Sequence, residues 1–291
     1  MGNTEASFGP YFHQFRRERR IPLAAALPGG ISALSRFEQG HSQLGIERQH
    51  EVMTRIGMMY SDLDEHFDMI SSPFTKAAEA IVAERYAPRV SRITAIIQDY
   101  VAAVGEPSGN LMSLNQVVFQ VIGETVAAHR QIQLAQATQQ EIQTLLEHNP
   151  HWLNYDYLLL RLALAHMDSS RIVTCVALAE QRVNAGPSHY QSEYAQVVQQ
   201  AVLVLLCRQA WDQAQGLADQ LAQIKPSVYW VQDTFIKNLL REVLTNLADP
   251  SKLHRAVTSL VDALDAMGLT DMQAYAKDVL QQMQGKPGIL V

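Results

Sequence analysis

A chain of 291 residues, 47% of them apolar and with only 15 glycines and 11 prolines, can bury a substantial core and has the wrong composition for a disordered or fibrous protein. It contains no apolar run of the roughly 18 residues a membrane span needs, and its two cysteines, Cys175 and Cys207, are too few for a disulfide framework. The net charge of −6 is unevenly divided: residues 1–60 hold seven arginines against five glutamates, or +2, so the remainder carries −8. A basic head on an acidic body fits a modular cytoplasmic DNA binder whose second part meets a different partner, although a solvated arginine face would give the same balance.

Taken in order, Phe8, Phe12 and Phe15 form a helical stripe that runs into Arg16-Arg17-Glu18-Arg19-Arg20. Pro22 opens a short apolar run from Leu23 to Leu27, which Pro28-Gly29-Gly30 breaks. The next helix ends at Gly40. Leu34 and Phe37, three apart, share its packing face, and Ser32, Ala33, Ser35 and Arg36 point the other way. Small and polar side chains let a backbone approach a groove, and an arginine supplies a fork for guanine or phosphate. A capped surface helix could share this layout, but the flanking helices favour the second helix of a helix-turn-helix. Leu44, Ile46, Met53 and Ile56 predict a further helix, and Asp62-Leu63-Asp64-Glu65-His66-Phe67 opens a fifth with acids in its first turn. Five short helices in about seventy residues match a helix-turn-helix domain. Residues 1–70 are therefore expected to bind double-stranded DNA, with Arg16, Arg17, Ser32, Ala33, Ser35 and Arg36 as the contacting residues.

From Phe74 onward nearly everything follows a helical period. Helices are predicted near 77–84, 90–97, 113–130, 134–147, 151–166, 170–184, 188–208, 210–224, 228–247, 251–267 and 270–284. The breaks fall at Gly105–Gly109, Asn149-Pro150, Ala185-Gly186-Pro187, Pro226, Asp249-Pro250 and Gly268. No stretch alternates with a period of two, so no sheet is expected. Trp211, Ala214, Leu217, Ala218 and Leu221 have the spacing of a tetratricopeptide-like unit. The fold class is thus all-α: a helix-turn-helix domain followed by a tetratricopeptide-like α-solenoid over 71–291. An irregular helical bundle is the alternative.

Catalytic signatures are missing. The chain has no glycine-rich phosphate loop and no Gly-x-Ser-x-Gly elbow. His148 and His151 flank a loop without a cysteine or carboxylate beside them, so no metal is assigned. No cofactor and no enzymatic activity are expected. Arg161, a lone charge in Leu158-Leu159-Leu160-Arg161-Leu162-Ala163-Leu164, either reaches out of its helix with its stem packed or faces a groove where it could meet a carboxylate.

Gly9, Phe15-Arg16-Arg17, Leu34-Ser35-Arg36-Phe37-Glu38-Gln39-Gly40 and Leu63-Asp64-Glu65 resemble the Rgg/GadR/MutR transcriptional regulators of Gram-positive bacteria. Their recognition helix ends in Ser-Arg-Phe-Glu-Arg-Gly. This chain departs at Gln39, and again at Gly30-Ile31, where the family has serine and a polar residue. Trp152-Leu153-Asn154-Tyr155-Asp156 is similar to a Trp and Tyr-Glu pattern in the family's second domain. The resemblance implies a homodimer, held by the C-terminal half, that senses a short apolar signalling peptide of the quorum-sensing kind. Trp152, Tyr155, Tyr157, Arg161, Gln200, Tyr229, Trp230 and Asn238 would then supply aromatic platforms, amides and one cation for that peptide. The position near Gln200 is often asparagine in the family, a third departure. A regulator without a peptide ligand, or a peptide-binding scaffold with a degenerate DNA-binding domain, are the competing functions.

Overall fold

The computed structural model describes residues 8–59, 63, 72–84, 89–106, 109–185, 190–224, 231–246 and 249–283. Those residues form fifteen α-helices and no strand. Two compact units divide between Ser72 and Pro73.

The first unit contains α1 (Phe8–Glu18), α2 (Leu23–Ala26), α3 (Ile31–Glu38) and α4 (Ile46–Ile56). The expected fifth helix falls on residues outside the description except Leu63, which is helical and buried. α1 packs on α3 and α4, and α2 packs on the same two. The core is built from Phe12, Leu27, Leu34, Phe37, Val52, Met53 and Ile56, with Phe12 edge-on to Phe37 at 5.2 Å. α3 ends in a Schellman turn. The amides of Gly40 and His41 bond the carbonyls of Phe37 and Arg36, and Gly40 takes the left-handed φ of 74° that such a turn requires. α1 ends the same way, through Arg20 and Ile21 on Arg17 and Arg16, but its left-handed residue is Arg20 (φ 56°) and not a glycine.

The second unit contains α5 (Pro73–Ala83), α6 (Val90–Val104), α7 (Asn110–Ala128), α8 (Gln136–His148), α9 (Asn154–Leu164), α10 (Ser169–Ala185), α11 (Gln191–Cys207), α12 (Trp211–Gln223), α13 (Val231–Asn246), α14 (Pro250–Ala266) and α15 (Thr270–Met283). Most chain neighbours pack on each other, and next-but-one helices also touch: α8 on α10, α9 on α11, α11 on α13. Two rows of stacked helices are the arrangement of a helical-repeat solenoid. Every residue from Asp156 to Met167 is buried, so α9 is surrounded. Each fully buried leucine there contributes roughly 1.5–3 kcal/mol. α12 buries Ala214, Leu217 and Leu221 against α11, as the repeat spacing predicts.

The helix starts have local causes. Asp156 caps α9 by accepting from the Leu153 amide at 2.8 Å, while its other oxygen takes the Asn149 side-chain amide at 2.8 Å. Asp249 caps α14 through the amides of Ser251 and Lys252, both at 3.1 Å, with Pro250 in the first turn. The breaks expected at Gly186-Pro187 and Pro226 lie outside the described residues.

A polar lock joins the ends of α7, α9 and α11 to the segment before α8. Arg208 donates to the carbonyls of Ala165 and Met167, Gln131 donates to Ala165, and the Leu134 amide donates to His166. His166 is 1% exposed and its Nδ1–H donates to the Ile132 carbonyl at 2.7 Å. Its Nε2 is buried and has no partner among the described residues. Protonation would place an unpaired N–H⁺ there, so burial pushes the imidazole down to about 4 from its ordinary 6.5, with the nearby Arg208 charge adding to the effect.

Between pH 6.5 and 4 the unfolded chain therefore binds the proton that the folded chain refuses. The contribution is complete above pH 6.5 and is lost as pH falls toward 4, with about 2 kcal/mol gone at pH 5. Urea titrations at pH 7 and pH 5 should show this loss in the wild type and a flatter dependence in His166→Gln. Equal slopes for the two proteins would remove His166 from the account.

Candidate functional site

Two sets of residues qualify, one in each unit. In the first, α3 lies with Leu34 and Phe37 wholly buried and with Ile31, Ser32 and Arg36 exposed; Ala33 and Ser35 are half-buried between them. Leu34 and Phe37 thus share the packing face that their three-residue spacing predicts, and Ser32 and Arg36 lie on the outer one. No side chain caps α3, because Gly30 is its N-cap. The first-turn amides are consequently left for an outside acceptor such as water or a phosphate oxygen.

The expectation that Arg16 contacts DNA requires correction. Its Nε and Nη2 each donate to a carboxylate oxygen of Glu38 at 2.6 Å, and its Nη1 donates to the Ile21 carbonyl at 2.7 Å. Arg16 and Glu38 are both only 5% exposed. With its fork occupied on both edges, Arg16 cannot serve as a phosphate contact. It ties α1 to the end of α3 and to the start of the turn before α2, and so fixes the angle at which α3 is presented. Arg17 lies beside it on the exposed side of α1.

Among the described residues of this unit, six arginines (17, 19, 20, 36, 48 and 55) are exposed, against Glu18, Glu47 and the half-buried Glu51. Pairing Arg16 with Glu38 removes one charge of each sign from the surface. Glu5, Asp62, Asp64, Glu65 and Asp68 lie outside the described residues and bring the unit's formal charge to −2, so the basic balance belongs to the surface of residues 8–59. A surface of this sign raises the local concentration of a polyanion.

In the second unit, Trp152 also requires correction. It is 4% exposed, its Nε1–H donates to the Leu146 carbonyl at 3.0 Å, and its ring meets Tyr157 edge-on at 5.2 Å. It belongs to the core and is no platform for a ligand; Tyr157, 1% exposed, is the same. The Trp152 to Asp156 pattern is thus structural: one end packs beneath α9 and the other caps it. Tyr155 is half-buried, packs on Phe74 at 4.7 Å and donates its hydroxyl to Asn115 Oδ1 at 2.8 Å. Burial outweighs that bond in setting its acidity, and the phenol is pushed up to about 12. Tyr229 and Trp230 lie outside the described residues.

Arg161, Gln200 and Asn238 are carried by α9, α11 and α13, the three helices that pack in one row. Arg161 is 9% exposed and its Nη1 donates to Gln196 Oε1. Gln196 is one turn before Gln200 on α11, so the residue that Arg161 contacts shares a helix face with Gln200. Gln200 and Asn238 are half-buried. His148 and His151 are exposed, and the described residues contain no group of three or more metal-ligating side chains. No helix of the described residues is long and apolar enough to cross a membrane.

Neither a protein-family model nor a curated protein sequence matches the chain. Solved structures do. A Listeria monocytogenes EGD-e protein described as a transcriptional regulator superposes with a TM-score of 0.75 at 11% identity, over 97% of this chain and 98% of that one. The SHP pheromone receptor Rgg2 of Streptococcus dysgalactiae gives 0.67 at 10% identity, over 96% and 100%. PrgX in complex with cCF10 gives 0.65 at 14% identity, over 97% and 94%. At such identities the likeness establishes the fold: a helix-turn-helix unit followed by a helical-repeat unit, matched over almost the full length of each chain.

Proposed function

We propose that this chain, which has the fold of the Rgg2 and PrgX receptors, is a DNA-binding transcriptional regulator controlled by a short apolar peptide. The observation that carries the reading is the face of α3. Ser32 and Arg36 stand out from the unit, with Ser35 half-buried between them, while Leu34, Phe37 and the Arg16–Glu38 pair hold the helix from behind. A helix so presented, with small side chains around one arginine, has the shape and chemistry to enter a major groove and read guanine through its O6 and N7.

Arg36→Ala is expected to cost roughly 1–3 kcal/mol of affinity for a duplex selected from a random pool, and to relax sequence preference at one position. Fluorescence anisotropy with the selected and a scrambled duplex is the test. Because Arg36 is exposed, the variant should fold as the wild type does. An Arg36→Ala protein that binds and discriminates like the wild type would remove α3 from the interface.

A single unit of this size gains specificity when two copies meet two half-sites about one helical turn, roughly 34 Å, apart. We place that dimer contact in the repeat unit, the larger of the two. The same unit is the proposed peptide receptor, with Arg161, Gln196, Gln200 and Asn238 fixing the direction of an extended backbone while apolar burial supplies affinity. A peptide that binds one arrangement of the dimer better shifts the population of DNA-competent states by that difference in affinity. Calorimetry with apolar peptides encoded beside the gene should give a complex that Arg161→Ala weakens. Equal binding to both proteins would move the site away from Arg161, and no binding by any such peptide would leave a regulator without one.

A further inference from the structure

Arg20 occupies the left-handed region at the position after α1 where such turns favour glycine, with φ 56° and the Schellman bonds from Arg20 N to Arg17 O at 2.9 Å and from Ile21 N to Arg16 O at 3.0 Å. His129 and Gln209 end their helices in the same kind of turn, so the conformation marks the position and the surroundings of the side chain must supply its use. At Arg20 they do. Arg16, Arg17, Arg20, Ile21 and Pro22 line an open pocket of about 410 Å³. Arg16 is consumed by Glu38 and Ile21, and Arg19 lies over the Phe15 ring at 4.6 Å. Among the described residues no hydrogen bond or ion pair engages the guanidiniums of Arg17 and Arg20, both of which are exposed. The carbonyls of Arg16 and Arg17, which would repel an anion at a helix end, are already closed by the amides of Ile21 and Arg20.

From this we infer that Arg17 and Arg20 form a seat for a backbone phosphate of duplex DNA, with Arg20 held in a strained conformation for that contact. The inference rests on the DNA-binding reading above. Arg16 then acts beneath the seat as a positioning residue, because its bond to the Ile21 carbonyl fixes the turn that carries Arg20. A phosphate between two guanidiniums gains several charge-assisted hydrogen bonds. Its neutralisation adds nearly one unit to the salt dependence of duplex binding.

The test exploits opposite signs. In the full-length protein, Arg20→Gly should relieve the turn and raise the unfolding midpoint of the first unit by about 4 °C. It should also weaken binding to selected and scrambled duplexes alike by several-fold, and reduce the slope of log affinity against log salt by roughly one. Arg20→Lys should keep most of the affinity and the slope, and Arg17→Ala should lose as much as Arg20→Gly. A residue with only a structural part in the turn cannot give a more stable protein that binds less. Wild-type affinity and slope in Arg20→Gly would overturn the seat while leaving the α3 reading intact, whereas a wild-type protein that binds no duplex would end both. Inorganic phosphate at constant ionic strength should leave the wild-type complex in place. Displacement by phosphate alone that requires Arg20 would mean a free-anion site and would overturn the assignment to DNA.

Discussion

Gly9→Ala should unfold or severely loosen the first unit, although an alanine in the first turn of a helix ordinarily helps. A Cβ on Gly9 would stand 1.7 Å from the Phe37 carbonyl oxygen, 2.6 Å from its carbon and 3.1 Å from the Glu38 Cα. These are backbone atoms at the end of α3, so no rotamer change can clear them. α1 would have to withdraw, opening the Phe12–Phe37 contact and stretching the Arg16–Glu38 bonds. Overpacking of this kind costs about 3 kcal/mol or more, against the roughly 1 kcal/mol that alanine gains over glycine in a free helix. A unit of 72 residues has only a few kcal/mol to lose. Circular dichroism melts of the wild type and Gly9→Ala decide the matter. A variant as stable as the wild type would mean that α1 does not lie on α3 as described.

Glu38→Ala carries the second large effect. It leaves the Arg16 guanidinium buried with only the Ile21 carbonyl as a partner, and removal of one member of a buried pair typically costs about 3–5 kcal/mol. The double variant Arg16→Met, Glu38→Leu should be much milder than the sum of the two single changes, since it removes both charges and keeps the volume. Denaturant titration of the wild type, Arg16→Met, Glu38→Leu and the double variant gives the coupling directly, and additive losses would show that the pair is not a unit. This pair also separates stability from recognition. Arg36→Ala is expected to weaken DNA binding and leave folding alone; Glu38→Ala, two residues on, is expected to lower stability first, with any loss of DNA affinity following from the displaced α3.

The Arg16–Glu38 pair is the clearest case of information that stood in the sequence without being read. Phe8, Phe12 and Arg16 are spaced four apart, and Leu34, Phe37 and Glu38 are spaced three and four apart, so each charge sits on its helix's inward stripe. Two opposite charges at core positions of neighbouring helices are a buried ion pair in waiting. Reading Arg16 together with Arg17 as one basic patch hid this, because adjacent residues on a helix point about 100° apart. Among the described residues the helix positions are legible in the sequence, since apolar residues at a 3.6-residue period and Pro or Gly at the breaks leave few alternatives. Trp152 is ambiguous for a different reason: an aromatic residue looks the same in a sequence whether it lines a groove or fills a core. The partners of Arg161 and His166 lie thirty or more residues away, at Gln196 and Ile132, and no local spacing announces a contact that stacking of non-adjacent helices creates.

Whether the first unit grips duplex DNA is tested most directly by titrating a labelled duplex with the full-length protein at salt concentrations from about 50 to 200 mM. If α3 enters the groove with arginines 17 and 20 on the backbone, log affinity should fall linearly with log salt, at a slope of about 0.9 for each phosphate neutralised. The loss over that range should approach a thousandfold if six or more phosphates are contacted. Arg36→Ala should lower the line for the selected duplex toward that for a scrambled one. A duplex that does not bind at low salt, or one whose affinity ignores salt, would contradict the account.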